Sequence, residues 1–394
     1  MKALNDNAHP LESLLQQHCP NGVEFKELGE LCEINGGKLN ANKAQSKGLY
    51  EFFTYDYNNP KFVDNYAWDT EALIICKKDN GENPCRYFNG KFNAFQWMRI
   101  LHSFKNEANI HYIKYYFNAI FMQFLQTNSI NISLPYIAIE TIKKFPIPLP
   151  PLEIQYKIVE ILDAFTELQA ELEAELEARL KQYHYYRNKL LSFEELQRRT
   201  DMLNGWGLKL VSLGELGKRN AGTKITANQM QALHKENAPV RIFAGGSTIA
   251  DVDYCDLPKK DVIDKPSIIC KARGYIGFEY YDKPFSHKSE FWSYTIDKNA
   301  NQKFVYYFLI NQQEHFQKLA KANSVKIPQL KVSNTDNFQI PLPPLSVQND
   351  IVELLDKFDT LANDLTSGIP AEIEARKKQY EYYRERLLSF IAKD

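Results

Sequence analysis

The sequence predicts an α+β chain, with two mixed α/β domains separated by two long antiparallel helices that form an intramolecular coiled coil with approximate two-fold symmetry. Three observations predict it. One block of sequence occurs twice. Each copy opens on prolines and continues with helical apolar spacing. The two segments outside the helices hold short β-branched and aromatic runs punctuated by Gly, Asn, Asp and Pro.

The repeat is explicit. PLPPLEIQYKIVEILDAFTEL (Pro148 to Leu168) matches PLPPLSVQNDIVELLDKFDTL (Pro341 to Leu361) at 13 of 21 positions. A second stretch follows in each copy, AELEARLKQYHYYRNKLLSF from Ala174 and AEIEARKKQYEYYRERLLSF from Ala371, displaced by four further residues in the second. Each proline cluster is expected to stop helix and sheet alike, so the first helix begins near Glu153 and runs to about Phe193.

Its seam is Ile158, Leu162, Phe165, Gln169, Leu172, Leu176, Arg179, Tyr183, Tyr186, Leu190 and Phe193. The second copy repeats it as Ile351, Leu355, Phe358, Ala362, Leu365, Ile373, Tyr380, Tyr383, Leu387 and Phe390, with Ser367-Gly368-Ile369-Pro370 dividing the helix into two pieces. One apolar seam against the other is the simplest burial.

Weaker likenesses link the remaining segments: KELGEL (Lys26 to Leu31) with VSLGEL (Val211 to Leu216), ALIICK (Ala72 to Lys77) with SIICK (Ser267 to Lys271), and SLPYI (Ser133 to Ile137) with KIPQL (Lys326 to Leu330). Ile110 to Gln126 and Gln302 to Ala322 carry helical periodicity. The expected layout is a segment 1–19 packed on the helices, a domain over 20–150, a helical region over 151–203, a domain over 204–343 and a helical region over 344–394.

A chain of 394 residues exceeds what one core usually serves. The six cysteines form no CxxC pair and have no His at zinc-ligand spacing, so neither a metal site nor a disulfide framework is indicated. Without a long apolar run or a signal-like start, a soluble cytoplasmic protein is expected. Net charge is −1, but residues 205–345 hold 19 Lys and Arg against 13 Asp and Glu, whereas 151–203 hold 7 against 11 and 344–394 hold 7 against 10. Positive charge therefore sits away from the helices.

PLPPLxxQ opening a helix, the AEIEARxKQYEYYR stretch and the closing LLSF together resemble the paired conserved regions of type I restriction-modification specificity subunits, over nearly the whole chain. The resemblance implies two target-recognition domains, each reading half of an interrupted DNA site, with the helices setting the separation. It also implies partners: two methyltransferase subunits that bind S-adenosylmethionine and methylate adenine, and restriction (motor-nuclease) subunits. The chain itself is expected to need no cofactor. No NPPY-like or DPPY-like tetrapeptide, glycine-rich cofactor loop, GxxxxGK[ST] or HExxH occurs, and a non-catalytic subunit follows.

Lys271-Ala272-Arg273-Gly274 after a strand-like run is the best DNA-reading candidate, since a glycine-flanked Arg can reach a guanine edge or a phosphate. The resemblance carries Lys271, Arg273 and Gly274 to this place. The first domain has Lys77-Lys78 and a later Arg86 instead, all phosphate candidates. Gly245 and Gly246 in Phe243–Ser247 resemble the family's glycine loop, where the first domain has Tyr55 and Tyr57. Each of these also reads as plain surface or core. Trp97 and Trp292 read as buried aromatics, and Tyr183 to Tyr186 as seam rather than a base-stacking platform. Rival readings are an adaptor of another defence system and a coiled-coil scaffold with two protein-binding domains.

Overall fold

The computed structural model describes residues 19–20, 22–56, 59–75, 85–128, 137–204, 207–297, 300–323, 326–364 and 367–390. The chain divides into two compact units, one built from the chain up to Glu173 together with the chain from Ile373 onward, the other from Ala174–Glu372. The expected packing of segment 1–19 lies almost wholly outside the described residues, as do seam residue Leu365 and most of the SLPYI motif.

In the first unit the order is β1 (Glu24–Glu27), α1 (Leu28–Leu31), β2 (Glu33–Gly36), β3 (Tyr50–Phe53), β4 (Phe62–Val63), β5 (Trp68–Ile75), β6 (Cys85–Ala94) and β7 (Arg99–His102). Then follow α2 (Ile110–Thr127), α3 (Ile139–Lys143), β8 (Pro146–Leu149) and α4 (Leu152–Leu190). Six strands form one sheet in the order β2-β7-β5-β6-β3-β4, with β3 parallel to β6 and the other pairs antiparallel.

Ala72-Leu73-Ile74-Ile75 lacks polar alternation because β5 is central and covered on both faces. Leu73 and Ile75 join the core beneath α2, while Ala72 and Ile74 join Phe52, Phe92 and Ile100 on the other face. Helix α2 starts at Asn109, whose side chain accepts from the His111 and Tyr112 amides.

The second unit runs α5 (Phe193–Asn204), β9 (Lys209–Ser212), α6 (Leu213–Leu216), β10 (Gly217–Ala221), α7 (Ala227–Leu233), β11 (Val240–Phe243), β12 (Ile249–Val252), β13 (Ser267–Lys271), β14 (Gly277–Tyr281), β15 (Phe285–His287) and β16 (Trp292–Ile296). It continues with α8 (Gln302–Asn311), α9 (Gln313–Asn323), α10 (Val332–Asp336), β17 (Gln339–Leu342) and α11 (Leu345–Asn363), and α12 (Ile369–Leu387) closes the chain.

Apart from the β9-β17 pair, its strands fall in two sheets, β10-β16-β13-β14 and β12-β11-β15. Joined through β14 and β15, this is the strand order of the first unit. The division has a local cause. Pro284 immediately precedes β15, whereas the corresponding stretch of β6 runs unbroken through Gly90, at φ +136°, and Lys91. Proline offers no N–H to a ladder, and the strand ends at Tyr281 to resume at Phe285.

Four expectations are corrected. The prolines do not exclude strand: β8 contains Pro146 and Pro148, and β17 contains Pro341, each in a two-stranded pair where a missing amide is tolerated. Phe193 is not a seam residue; α4 ends at Leu190, and Phe193 opens α5 with 51 % exposure. The helix expected over Gln302 to Ala322 is two helices parted at Gln312. Trp97 is 38 % exposed rather than buried, whereas Trp292 is 7 % exposed and its indole donates to Thr335 at 2.9 Å.

Inside each unit, helical stretches from both copies of the repeat meet. In the first, Phe165 of α4 stacks on Tyr383 of α12 with ring centroids 5.3 Å apart, and Ile158 and Leu162 share a core with Leu387 and Leu388. Phe390 lies against Tyr112, whose hydroxyl donates to the Pro148 carbonyl ahead of α4, while Tyr380 lies against Phe165 farther along, so the two stretches run antiparallel. In the second unit Phe358 of α11 stacks on Tyr186 of α4 at 5.4 Å, and Tyr183, Leu190, Ile351 and Leu355 are buried in one core. By the repeat, Phe165 with Tyr383 and Phe358 with Tyr186 are the same pair. Of the remaining seam positions, Leu172 and Ile373 are buried and Leu176 half-buried.

Candidate nucleic-acid interface

Each unit mounts its strands on its helices through the same latch. Gln155 is fully buried; its amide donates to the Glu107 and Pro150 carbonyls, both at 2.9 Å, and its carbonyl accepts from the Asn109 amide at 2.8 Å. Gln348 does the same work, donating to the Pro343 carbonyl at 2.8 Å and accepting from the Asn301 amide at 2.7 Å. Asn109 and Asn301 are the N-caps of α2 and α8, so the glutamine of PLPPLxxQ ties the proline strand to the cap of the helix beneath the sheet.

A second tie repeats alongside. The Tyr115 hydroxyl donates to Asp163 at 2.5 Å and the Tyr307 hydroxyl to Asp356 at 2.6 Å. Burial, with the neighbouring carboxylate second, holds both phenols well above the usual tyrosine range. The sequence displayed these glutamines and tyrosines but not the partners that lie 46 to 49 residues away, Asn109, Asn301, Asp163 and Asp356.

On these mounts the sheets present turns. Arg273, Gly274 and Tyr275 form the tip of the β13–β14 hairpin, whose last pair is Lys271 with Gly277. The tip is braced from behind: Gln317 of α9 accepts from the Ile276 amide at 2.8 Å and donates to the Gly274 carbonyl at 3.3 Å, and the Gly274 amide donates to Pro328 at 2.8 Å. Gly274 takes φ +79°, a conformation glycine adopts without strain.

Arg273 is exposed and has no ion pair among the described residues. Lys271 is engaged instead, its ammonium 2.6 Å from Glu279 on the neighbouring strand. A Cβ added at Gly277 or at Gly245 would meet nothing within 4 Å, and neither needs a positive φ, so the fold itself does not require glycine there. Bare backbone open to solvent suits close approach by a ligand.

Gly245 and Gly246 turn the β11–β12 hairpin, with Gly246 at φ +66°. This turn and the Arg273 turn stem from different sheets, and among the described residues no hydrogen bond or ring contact joins them. At the equivalent place in the sequence of the first unit stand Lys77 and Lys78, which lie outside the described residues. Arg86 lies 3.8 Å from Glu51 with its guanidinium over the Phe53 ring. Tyr55 is half-buried, its ring edge-on to Phe95 at 5.4 Å. Tyr57 also lies outside the described residues.

Buried polar groups nearby are structural. His287 is fully buried between the Lys288 carbonyl and Ser293, and burial pulls its pKa down to about 4, which keeps it neutral. Arg99 donates to the Ile137, Gln96 and Met98 carbonyls. Asp253, Cys255 and Asp256 come within metal-ligating reach of one another, but the Lys235 ammonium already occupies both carboxylates, 2.5 Å from Asp253 and 3.4 Å from Asp256.

Fold and surface together define a duplicated reader: two units on one mounting plan, each offering a different strand-and-turn face. The family profile of the type I restriction modification DNA specificity domain matches twice, over residues 20–182 and 206–375. The chain belongs to this family of type I restriction-modification DNA specificity subunits.

It is 30 % identical to a putative type I restriction enzyme specificity subunit of Haemophilus influenzae over 98 % of this chain and 100 % of that one. It is 31 % identical to the EcoR124I/EcoR124II specificity subunit of Escherichia coli over 72 % of each. Its fold is similar to the crystal structure of a type I restriction-modification S subunit from M. genitalium, with TM-score 0.60 at 16 % identity over 98 % of this chain and 96 % of that one. Recognition of DNA targets is the family role, and subunits of this family are generally non-catalytic. No helix among the described residues is long and apolar enough to cross a membrane.

Proposed function

We propose that the chain reads a bipartite, asymmetric DNA sequence, one half per unit, and brings it to two methyltransferase subunits and to restriction subunits that carry the chemistry. The carrying observation is that the units share mount and strand order while their sheets differ, one sheet of six strands against sheets of four and three, and their loop sequences differ too. Identical mounts hold two readers to one duplex, and unlike readers call for unlike half-sites. S-adenosylmethionine belongs on the methyltransferase partners in this reading, which works in the cytoplasm, and this chain supplies positioning alone. The adenine is flipped out by the partner while the readers hold the flanking sequence.

Methylome sequencing of a strain with and without the chain tests this. The expected result is loss of one split, nonpalindromic adenine-methylated motif. A continuous or palindromic motif, or methylation by the purified chain alone, contradicts the proposal.

A further inference from the structure

We propose that Tyr275 is a specificity-determining residue of the second unit, an aromatic side chain that enters a DNA groove beside Arg273 and contacts bases of one half-site. The inference rests on the DNA-reading function proposed above and extends it to a residue that sequence reasoning passed over.

Tyr275 is 78 % exposed, the most of any large apolar side chain described, and no ring stack, cation–π contact or hydrogen bond engages it among the described residues. Exposure of this kind is ordinary on a mobile loop. Here the backbone is fixed on both sides: Gln317 bonds both flanking residues, the strap from Lys326 to Leu330 pairs through Pro328, Gln329 and Leu330 with Ala272 to Gly274, and Ile276 is fully buried one position on. A rigid tip that holds a large ring in water loses little conformational freedom on binding, as a contact residue should.

Charge identifies the occupant. Arg273 precedes the ring, Lys318 and Lys321 lie on α9, which braces the tip, and Lys326 begins the strap. All four are exposed and have no carboxylate partner among the described residues. Ile327, 46 % exposed, adds a second apolar side chain to the strap. Apolar side chains on a tip whose turn, bracing helix and strap carry unneutralised cations fit a polyanion that also offers flat apolar faces, and duplex DNA offers phosphates outside and base edges and thymine methyls within its grooves.

The test uses the assembled complex with its methyltransferase partners and duplexes carrying every single-base change in the methylated motif. Tyr275→Ala is expected to lose about tenfold in discrimination at one or two adjacent positions of a single half-site. Its salt dependence and its discrimination in the other half-site should match the parent, and Tyr275→Phe should keep most of the effect. Lys318→Ala with Lys321→Ala should weaken all duplexes alike and flatten the salt dependence. Unchanged discrimination by Tyr275→Ala, or an equal loss on every duplex, overturns the assignment while leaving the DNA-reading function intact. If the parent complex discriminates at no position, both fall. The exposed position makes misfolding a poor explanation for any change, and coincident thermal melts of the two proteins check it.

Discussion

The buried glutamines Gln155 and Gln348 each tie three separate parts of their unit together. Each closes a ring of hydrogen bonds between a proline strand, a helix start and an N-cap, with its own side chain fully buried. Truncation of Gln348 to Ala strands the Asn301 amide and the Pro343 carbonyl, and a buried unsatisfied group costs about 1–3 kcal/mol. Gln348→Ala is therefore expected to destabilise the second unit by about 3 kcal/mol, and Gln155→Ala to do the same in the first, read from the shift of the urea unfolding midpoint. A midpoint within experimental error of the parent would show that the latch does not hold the unit together. The motif PLPPLxxQ was legible in the sequence as a repeated string. Its mechanism was not, because a glutamine announces neither burial nor the identity of the distant N-cap amide it accepts from.

At the scale of elements, the duplicated helices were legible because 13 of 21 positions coincide and the apolar spacing is helical. The sheets were not. Strand order depends on pairings such as β3 parallel to β6, whose residues lie about forty apart, and short apolar runs do not state their neighbours. The break between β14 and β15 follows from one proline, yet its effect on the sheet emerges only once β6 is seen to run through the equivalent place.

The helix mounts show a smaller asymmetry. In the second unit Arg187 of α4 stacks its guanidinium over Tyr183 and donates from Nε to Asn311 at 3.2 Å. In the first, Arg384 of α12 lies likewise over Tyr380, but its buried Nε has no hydrogen-bond partner among the described residues. The residue in the place of Asn311 is Ala119, on the helix that lines a pocket of 310 Å³ beside Arg384. Ala119→Asn restores the amide, and a hydrogen bond to a charged donor outweighs the helix propensity lost with alanine. A gain of about 1 kcal/mol in the first unit is expected from urea unfolding. If the gain persisted after Arg384→Met, the new amide would be acting elsewhere.

For the whole molecule, the decisive fact is that α4 is one uninterrupted helix of 39 residues that belongs to both units, with the boundary between Glu173 and Ala174. The latch at Gln155 and the stack at Phe165 lie on one side of that boundary, and Tyr183, Tyr186 and Leu190 on the other, so residues added at the boundary leave both sets of contacts in place. The second copy of the repeat tolerates four residues more than the first, accommodated where α11 ends at Asn363 and α12 begins at Ile369. Four residues inserted after Glu173 preserve the helical phase to within about 40° and lengthen the axis by about 6 Å. At about 3.4 Å per base pair that is one or two base pairs of duplex. If the helices set the distance between half-sites, methylome sequencing of the insertion strain will return the same two half-sites with a gap one or two base pairs longer. An unchanged gap would mean that something other than α4 fixes the separation, and loss of one half-site would mean that the boundary is part of a reader.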